Sequence, residues 1–375
     1  MTGVTVEALS ADLHPSLRRL RRESPVAWIP GLMAWLVTSY EHCSGVMLDS
    51  TTFTVDDPRF STQQVIGPSM LSLDGSEHRR HRDPFVPPFR ATRIRGLEGR
   101  ARQEAARLIE DFRRGGTGDL RSSIAAPLAL VMMSDILDLE DVEADRVLHW
   151  YRQIVDAVDA VTVGGEVPGA ARQAFAELES AVANSTRTSG LLGPIAVNGR
   201  LDIDEIVSNV AVLLFGGIVT TEASMAIAFR YLLDDGDLHR QLDEDRSLVA
   251  RFVEETLRLE PSASVVDRYA TRDVRMAGMD IGEGDLVRVS LSGANRDPAV
   301  FPGPDTLDLR RSNSQKNLTF ARGPHACLGI HLARLEVRVA VEAVLDGLPR
   351  LEPVELDPIL GLVFRAPAAV RATVA

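Results

Sequence analysis

The stretch Phe320-Ala-Arg-Gly-Pro-His-Ala-Cys327-Leu-Gly-Ile-His-Leu-Ala-Arg334 sets one cysteine between two glycines, just ahead of an apolar periodic run. Ile330, Ala333, Val337, Ala340, Val341 and Val344 recur at three-and-four spacing. That spacing predicts a helix with one face in a core and Cys327 at its N-terminal end. Unpaired backbone N–H groups and the positive end of the helix dipole favour a thiolate there, which is the ionisation state a metal needs. Gly323 and Gly329 carry no Cβ, so the backbone can turn sharply or approach a flat group closely.

A lone cysteine is most often inert core. One thiolate with no second Cys or His at finger spacing does not complete a tetrahedral zinc site or an iron–sulfur cluster, whereas haem needs a single protein ligand because the porphyrin supplies the rest. The segment resembles the haem-ligand loop of the cytochrome P-450 family, Phe-x-x-Gly-x-His-x-Cys-x-Gly, at every fixed position. The resemblance extends from about residue 25 to the C-terminus. It implies a mainly α fold with small β-sheets (α+β), a single helix-rich domain around a buried haem b, with residues 1–24 as an N-terminal segment and 25–375 as the haem-binding body. It further implies Cys327 as the iron ligand, with Phe320, Gly323 and Gly329 shaping the cofactor's surroundings.

The length of 375 residues alone would suit two or three domains, yet no linker, charge block or repeat divides the chain. A hydrophobic content of 45% is ample for a large core. A net charge of -12 argues against generic nucleic-acid binding, which needs a basic footprint. Cys43 and Cys327 are the only cysteines, so there is no disulfide framework and a cytoplasmic location is expected. Cys43, in an early helix, reads as inert core. The N-terminus has no apolar core of a signal peptide. The longest apolar run, Val210 to Val219, is about half of what spans a bilayer, so no membrane anchoring is expected.

Val26–Trp28 and Trp35–Thr38 read as a hairpin followed by a helix from Ser39. Helical spacing runs through Arg102–Phe112, Leu128–Leu139, Val147–Ala160, Ala170–Ala183 and Leu238–Leu259, with a break at Gly164–Gly169. Strand signals return after residue 265, in Asp273–Ile281, Leu286–Ser290 and the last twenty residues. Asp202 or Asp204 can cap a helix reaching about Leu233, roughly 45 Å long at 1.5 Å per residue. Its adjacent glycines, Gly216 and Gly217, each cost about 1 kcal/mol relative to alanine, which points to a local opening or a close contact.

By resemblance this helix carries the family's oxygen-binding groove, patterned as a small residue, Gly, any residue, an acid and Thr. Gly216 then lies at the cofactor, and the Thr220 hydroxyl hydrogen-bonds dioxygen and passes a proton toward it. Val219 stands where the acid is expected and can neither hold nor relay a proton. Glu222, one turn on, is the candidate substitute through a water. A substrate group, another water route or chemistry without fast proton delivery are the alternatives. Glu255-Thr-Leu-Arg258 resembles the family's structural Glu-x-x-Arg pair, and His78, Arg82, Arg268 and His325 match its propionate contacts. By position the pocket candidates are Val65, Leu213, Gly217, Val265 and Leu362, a largely aliphatic set that suits an apolar substrate.

The resemblance implies a monooxygenase that inserts one oxygen atom from O2 into a small organic molecule, possibly in secondary metabolism. Electrons would come from a ferredoxin and its reductase, with Arg79, Arg80, Arg322, Arg334 and Arg338 as a docking patch unless neighbouring acids satisfy them. A carrier protein delivering the substrate is a further partner class. Two other functions remain: a haem-thiolate enzyme of atypical chemistry (peroxide-driven oxidation, rearrangement or dehydration), and a haem-free accessory protein for a partner enzyme, which Cys327 disfavours.

Overall fold

A computed structural model describes residues 4–137, 139, 142–162, 165–186 and 190–374. The architecture is helix-rich with four small sheets among the described residues, the α+β class expected. The chain resolves into two compact units, one of Met1–Thr54, Gly99–Ala125 and Thr220–Ala375, the other of Val55–Glu98 and Ala126–Val219.

In the first unit the expected hairpin forms. Val26–Ile29 pairs antiparallel with Ala34–Val37, and Trp28 faces Trp35 with ring centroids 5.6 Å apart. Ala34–Val37 pairs parallel with Leu286–Ser290, which pairs in turn with Val265–Ala270 and so to Phe53–Thr54, giving a five-stranded sheet. The helix Tyr40–Leu48 packs on this sheet through Cys43, Val46 and Met47. The Cys43 thiol donates to the Val37 carbonyl at 3.2 Å, and burial pushes its ionisation well up, so it is an inert core group. Leu9, Leu13, Leu17 and Leu20 recur on one face of the N-terminal helices and pack on Ala27, Ile29 and Leu36. The described part of the N-terminal segment thus packs into the core of the first unit.

Leu238–Leu259 differs from the sequence expectation of continuous helix. It is a helix Gly236–Glu244, a 3-10 turn Arg246–Leu248 and a second helix Val249–Leu259. Asp245 is extended and its carboxylate accepts from the Ser247 amide, so a polar cap breaks the helix while the apolar periodicity continues across it. The short strands Phe53–Thr54 and Thr117–Asp119 also escaped the sequence, being too brief to show alternation.

The second unit is helical, with Ala126–Leu137, Ala144–Thr162 and Gly169–Ser185 as its larger members. The break expected at Gly164–Gly169 begins partly outside the described residues. Asn209 ties this unit together: its carbonyl accepts from the Met70 amide at 2.8 Å and its amide meets His81 Nδ1 at 2.9 Å.

The helix Ile203–Asp234 runs 32 residues and contributes to both units. Asp202 is its cap: its carboxylate accepts from the Glu205 amide at 2.9 Å, and Glu205 accepts from the Asp202 amide at 3.0 Å, a reciprocal capping box. Its most apolar window has a mean hydropathy of 1.8 and is 78% buried, which makes it a core helix.

Candidate functional site

The Phe320–Cys327 loop is fixed by backbone geometry before any side-chain chemistry is considered. Ala321 has φ 54 and Gly323 φ 74, both in the left-handed region. A Cβ at Gly323 would stand 2.4 Å from the Met47 carbonyl oxygen, so glycine is required there on two counts. The 3-10 turn Gly323–His325 follows, and the Cys327 amide donates back to the Phe320 carbonyl at 2.8 Å, closing the loop. Cys327 is exposed, and neither cysteine is in a disulfide. Gly329 caps the helix Ile330–Gly347, and a Cβ there would lie 3.9 Å from the sulfur, so its absence leaves the face beside the thiol open.

No cluster of three or more His, Cys, Asp or Glu suited to a metal occurs among the described residues. A single thiol on a rigid, open loop fits a metal centre that brings its other ligands with it, as haem does. It does not fit a centre built from several protein donors.

Behind the loop lies a buried charge network. Arg258 donates to both oxygens of Glu255, at 2.8 and 2.9 Å, with side-chain exposures of 0% and 1%. Its remaining donors go to the carbonyls of Asn295, Pro304 and Thr306, and its guanidinium lies over the Phe301 ring. Arg311 reaches the same Glu255 carboxylate at 3.0 Å. Buried charges are tolerated when every donor and acceptor is used in this way. Asn295 carries the network to the loop, accepting from the Leu318 amide at 2.6 Å and donating to Thr319 Oγ1 at 2.9 Å. Arg311 and this role of Asn295 were missed in the sequence, where nothing local separates Arg310-Arg311 from a surface pair.

Arg268 is buried on the strand Val265–Ala270, with one donor on the Asp267 carbonyl, and His325 is half-buried in the 3-10 turn. Both share the first unit with Cys327. His78, buried, and Arg82 lie four residues apart on the helix Gly75–Arg82 of the second unit. Val65, Leu213 and Gly217 belong to that second unit too. Val265 is buried in the first, where Leu362 packs against the N-terminal apolar cluster.

The two helix glycines have different reasons. A Cβ at Gly217 would stand 2.5 Å from the Met133 sulfur, whereas one at Gly216, which is exposed, would meet nothing within 4 Å. Past them, Ser224 donates to the Thr220 carbonyl at 2.7 Å and approaches the Ser262 hydroxyl at 3.1 Å. Glu222 accepts from Arg121 Nε at 2.8 Å in a partly exposed ion pair, and the same guanidinium donates to the Pro367 carbonyl. Arg121 opens a π-helical turn, Arg121–Ala125. Of the arginines considered for docking, Arg80 is held by Glu205, Arg322 by the Tyr40 hydroxyl, Arg334 by Glu254 and Arg338 by Glu342. The Arg80 guanidinium holds Glu205 low, at about 2.

A helix-rich chain with one exposed loop thiol and a saturated Glu–Arg–Arg network behind it is the arrangement that the resemblance to a haem-thiolate oxidoreductase leads one to expect. Residues 189–348 match the family profile described as Cytochrome P-450. The chain is 32% identical to the mycinamicin IV hydroxylase/epoxidase of Micromonospora griseorubida, covering 85% of this chain and 83% of that protein. It is 30% identical to the nocardicin C N-oxygenase of Nocardia uniformis subsp. tsuyamanensis, covering 98% and 97%. The solved structure of CalO2 matches with a TM-score of 0.90 at 26% identity over 100% of this chain and 99% of that one. The chain belongs to the cytochrome P-450 family and is a monooxygenase.

Proposed function

We propose that this enzyme inserts one oxygen atom into a small, largely apolar organic substrate, with Cys327 as the thiolate ligand of haem b. The observation that carries this is the Phe320–Cys327 loop, whose backbone admits glycine at position 323 and presents one thiol on an open face. Bound there, haem would supply oxygen activation, with Cys327 as its electron-donating thiolate ligand. His78, Arg82, Arg268 and His325 offer donors for its two propionates, whose charge needs such partners in a buried site. Gly216 and Gly329 leave room for the cofactor, and Phe320 and Gly323 shape the loop that holds it. Thr220 holds a proton at its hydroxyl and hands it toward the reacting oxygen. Val65, Leu213, Gly217, Val265 and Leu362 line the substrate's side, and residues 25–375 act as one haem-binding domain. Relatives named for mycinamicin IV and nocardicin C support a tailoring role in secondary metabolism. A ferredoxin and its reductase supply electrons in the cytoplasm.

One observation favours different chemistry at the same haem. With Val219 in place of an acid and Glu222 engaged by Arg121, no free carboxylate stands next to Thr220 in the helix sequence. Peroxide-driven oxidation, rearrangement or dehydration would not need one. Ferric absorbance titration against a metabolite panel tests the main proposal. A saturable Soret shift identifies the substrate class. No shift from an intact haem protein directs the search to carrier-tethered substrates, and a purified protein that takes up no haem contradicts the proposal. Peroxide supporting turnover as well as the reductase chain does would favour the alternative.

A further inference from the structure

The hairpin formed by Ile359–Leu360 and Ala366–Pro367 is held from inside by one side chain. Arg365 donates to the Gly361 carbonyl at 2.8 Å and to the Ile359 carbonyl at 3.0 Å, spanning the turn. The turn is tight: Gly361 has φ 113, and a Cβ there would overlap the Phe364 carbonyl. The Arg365 amide donates to the Ser262 carbonyl, and the Ser264 amide to the Val363 carbonyl, each at 2.8 Å. The hairpin is therefore joined to the segment that leads into Val265.

Arg365 is itself placed by Glu260, whose Oε2 accepts from its Nε at 3.0 Å. The other carboxylate oxygen is shared by Arg296 at 2.9 Å and by His14 Nε2 at 2.6 Å. His14 belongs to the N-terminal helix Leu13–Glu23, from which Leu13, Leu17 and Leu20 enter the cluster that receives Leu362. One end of the turn thus packs on the apolar cluster that holds the N-terminal helix, and the other is fastened to that helix through Glu260 by a partly buried hydrogen bond.

We propose that His14 is a positioning residue for substrate selection, holding the Glu260–Arg365 pair and through it the 359–367 hairpin, so that the N-terminal helix determines how large a substrate the enzyme accepts. This rests on the proposed haem-thiolate function and on Leu362 and Val265 bordering the substrate. His14 does not touch substrate. A tilted Arg365 frees the carbonyls of Ile359 and Gly361, and the hairpin loses its shape. Protonation acts in the same direction. The groups facing the imidazole are Glu260, Arg296 and Arg365, with Asp305 bound to Arg296, and Nδ1 has no hydrogen-bond partner, so a proton there is a buried donor without an acceptor.

The test compares the holoenzyme with His14→Ala and His14→Gln, using imidazole and the bulky azole econazole as haem-ligand probes. Haem content, azole dissociation constants and hydrogen exchange of the 359–367 hairpin are measured. In His14→Ala the econazole constant is expected to change by about five- to tenfold, the worth of one hydrogen bond to a charged group, with imidazole unchanged and exchange faster at Arg365. In His14→Gln, whose amide can still donate to Glu260, both return toward wild type. Wild-type azole selectivity and exchange in His14→Ala would overturn the proposal, as would equal changes for both azoles. Failure of imidazole to bind the wild type would contradict the haem-thiolate function instead, and the exchange measurement would still decide the role of His14.

Discussion

The cysteine loop and the middle turn of the long helix are held by different kinds of constraint. At Phe320–Cys327 the chain is fixed by main-chain sterics and a saturated buried charge network. At Gly216–Glu222 the backbone is ordinary helix, and what varies is which side chain hangs from it. A backbone constraint admits one residue type, so the loop keeps its motif intact. A regular helix accepts many, so Val219 can replace an acid without disturbing the fold. On the proposed function, cofactor attachment would be the rigid part of this enzyme and proton supply the adjustable one.

The largest effect is expected from Glu255→Ala, which strands Arg258 and Arg311. Breaking a buried pair of this kind costs about 3–5 kcal/mol, and haem-to-protein ratio and melting temperature should fall together. Arg311→Ala should cost less, because Glu255 keeps Arg258. Next comes a contrast of glycines. Gly323→Ala meets the Met47 carbonyl in a left-handed conformation and should cost about 1–3 kcal/mol and deplete haem, while Gly329→Ala, whose Cβ makes only ordinary contact with the Cys327 sulfur at 3.9 Å, should cost less than about 1 kcal/mol.

Acid should loosen the N-terminal attachment. Burial alone would raise the Glu260 carboxyl, but the His14 hydrogen bond and the charges of His14, Arg365 and Arg296 outweigh it and hold it at about 2. Burial lowers the His14 imidazole below its ordinary value, against the pull of Glu260. Both groups bind more protons unfolded than folded. Their stabilisation is complete above the unfolded values, near 6.5 for His14 and 4.5 for Glu260, and is lost as pH falls through the folded ones. Melting temperature should decline below about pH 6.5, and His14→Gln should flatten the part of that decline above pH 4.5.

On the helix side the effects are smaller. Glu222→Gln breaks the partly exposed pair with Arg121 and should lower stability by about 1 kcal/mol. Val219→Asp should raise product formed per electron consumed, by less than the roughly 10²-fold of a fully positioned proton donor; no change in that ratio would favour the chemistry that needs no such donor. Smallest of all, Gly216→Ala should stabilise the haem-free chain by up to about 1 kcal/mol, whereas Gly217→Ala should not stabilise it, because its Cβ would overlap the buried Met133 side chain.

Much of this was legible in the chain because the relevant patterns are short. The Phe320–Cys327 motif, the Glu255–Arg258 spacing and the period of the long helix all fall within one or two turns of backbone. What the sequence hid depends on partners far along the chain. The closure of Arg311 on Glu255, the bridge from Asn295 to the cysteine loop and the His14–Glu260–Arg365 attachment join residues whose local context is that of surface charge. Glu222 shows the same limit: its place three residues after Val219 suggested a proton relay, and only the fold reveals Arg121 beside it.

On the proposed function, Cys327 alone ligates the iron. Iron X-ray absorption of the ferric enzyme should show one sulfur ligand in the wild type and in Cys43→Ser, and none in Cys327→Ser. A sulfur ligand that persists in Cys327→Ser, or a haem-loaded wild type with no sulfur ligand, would rule Cys327 out as the ligand.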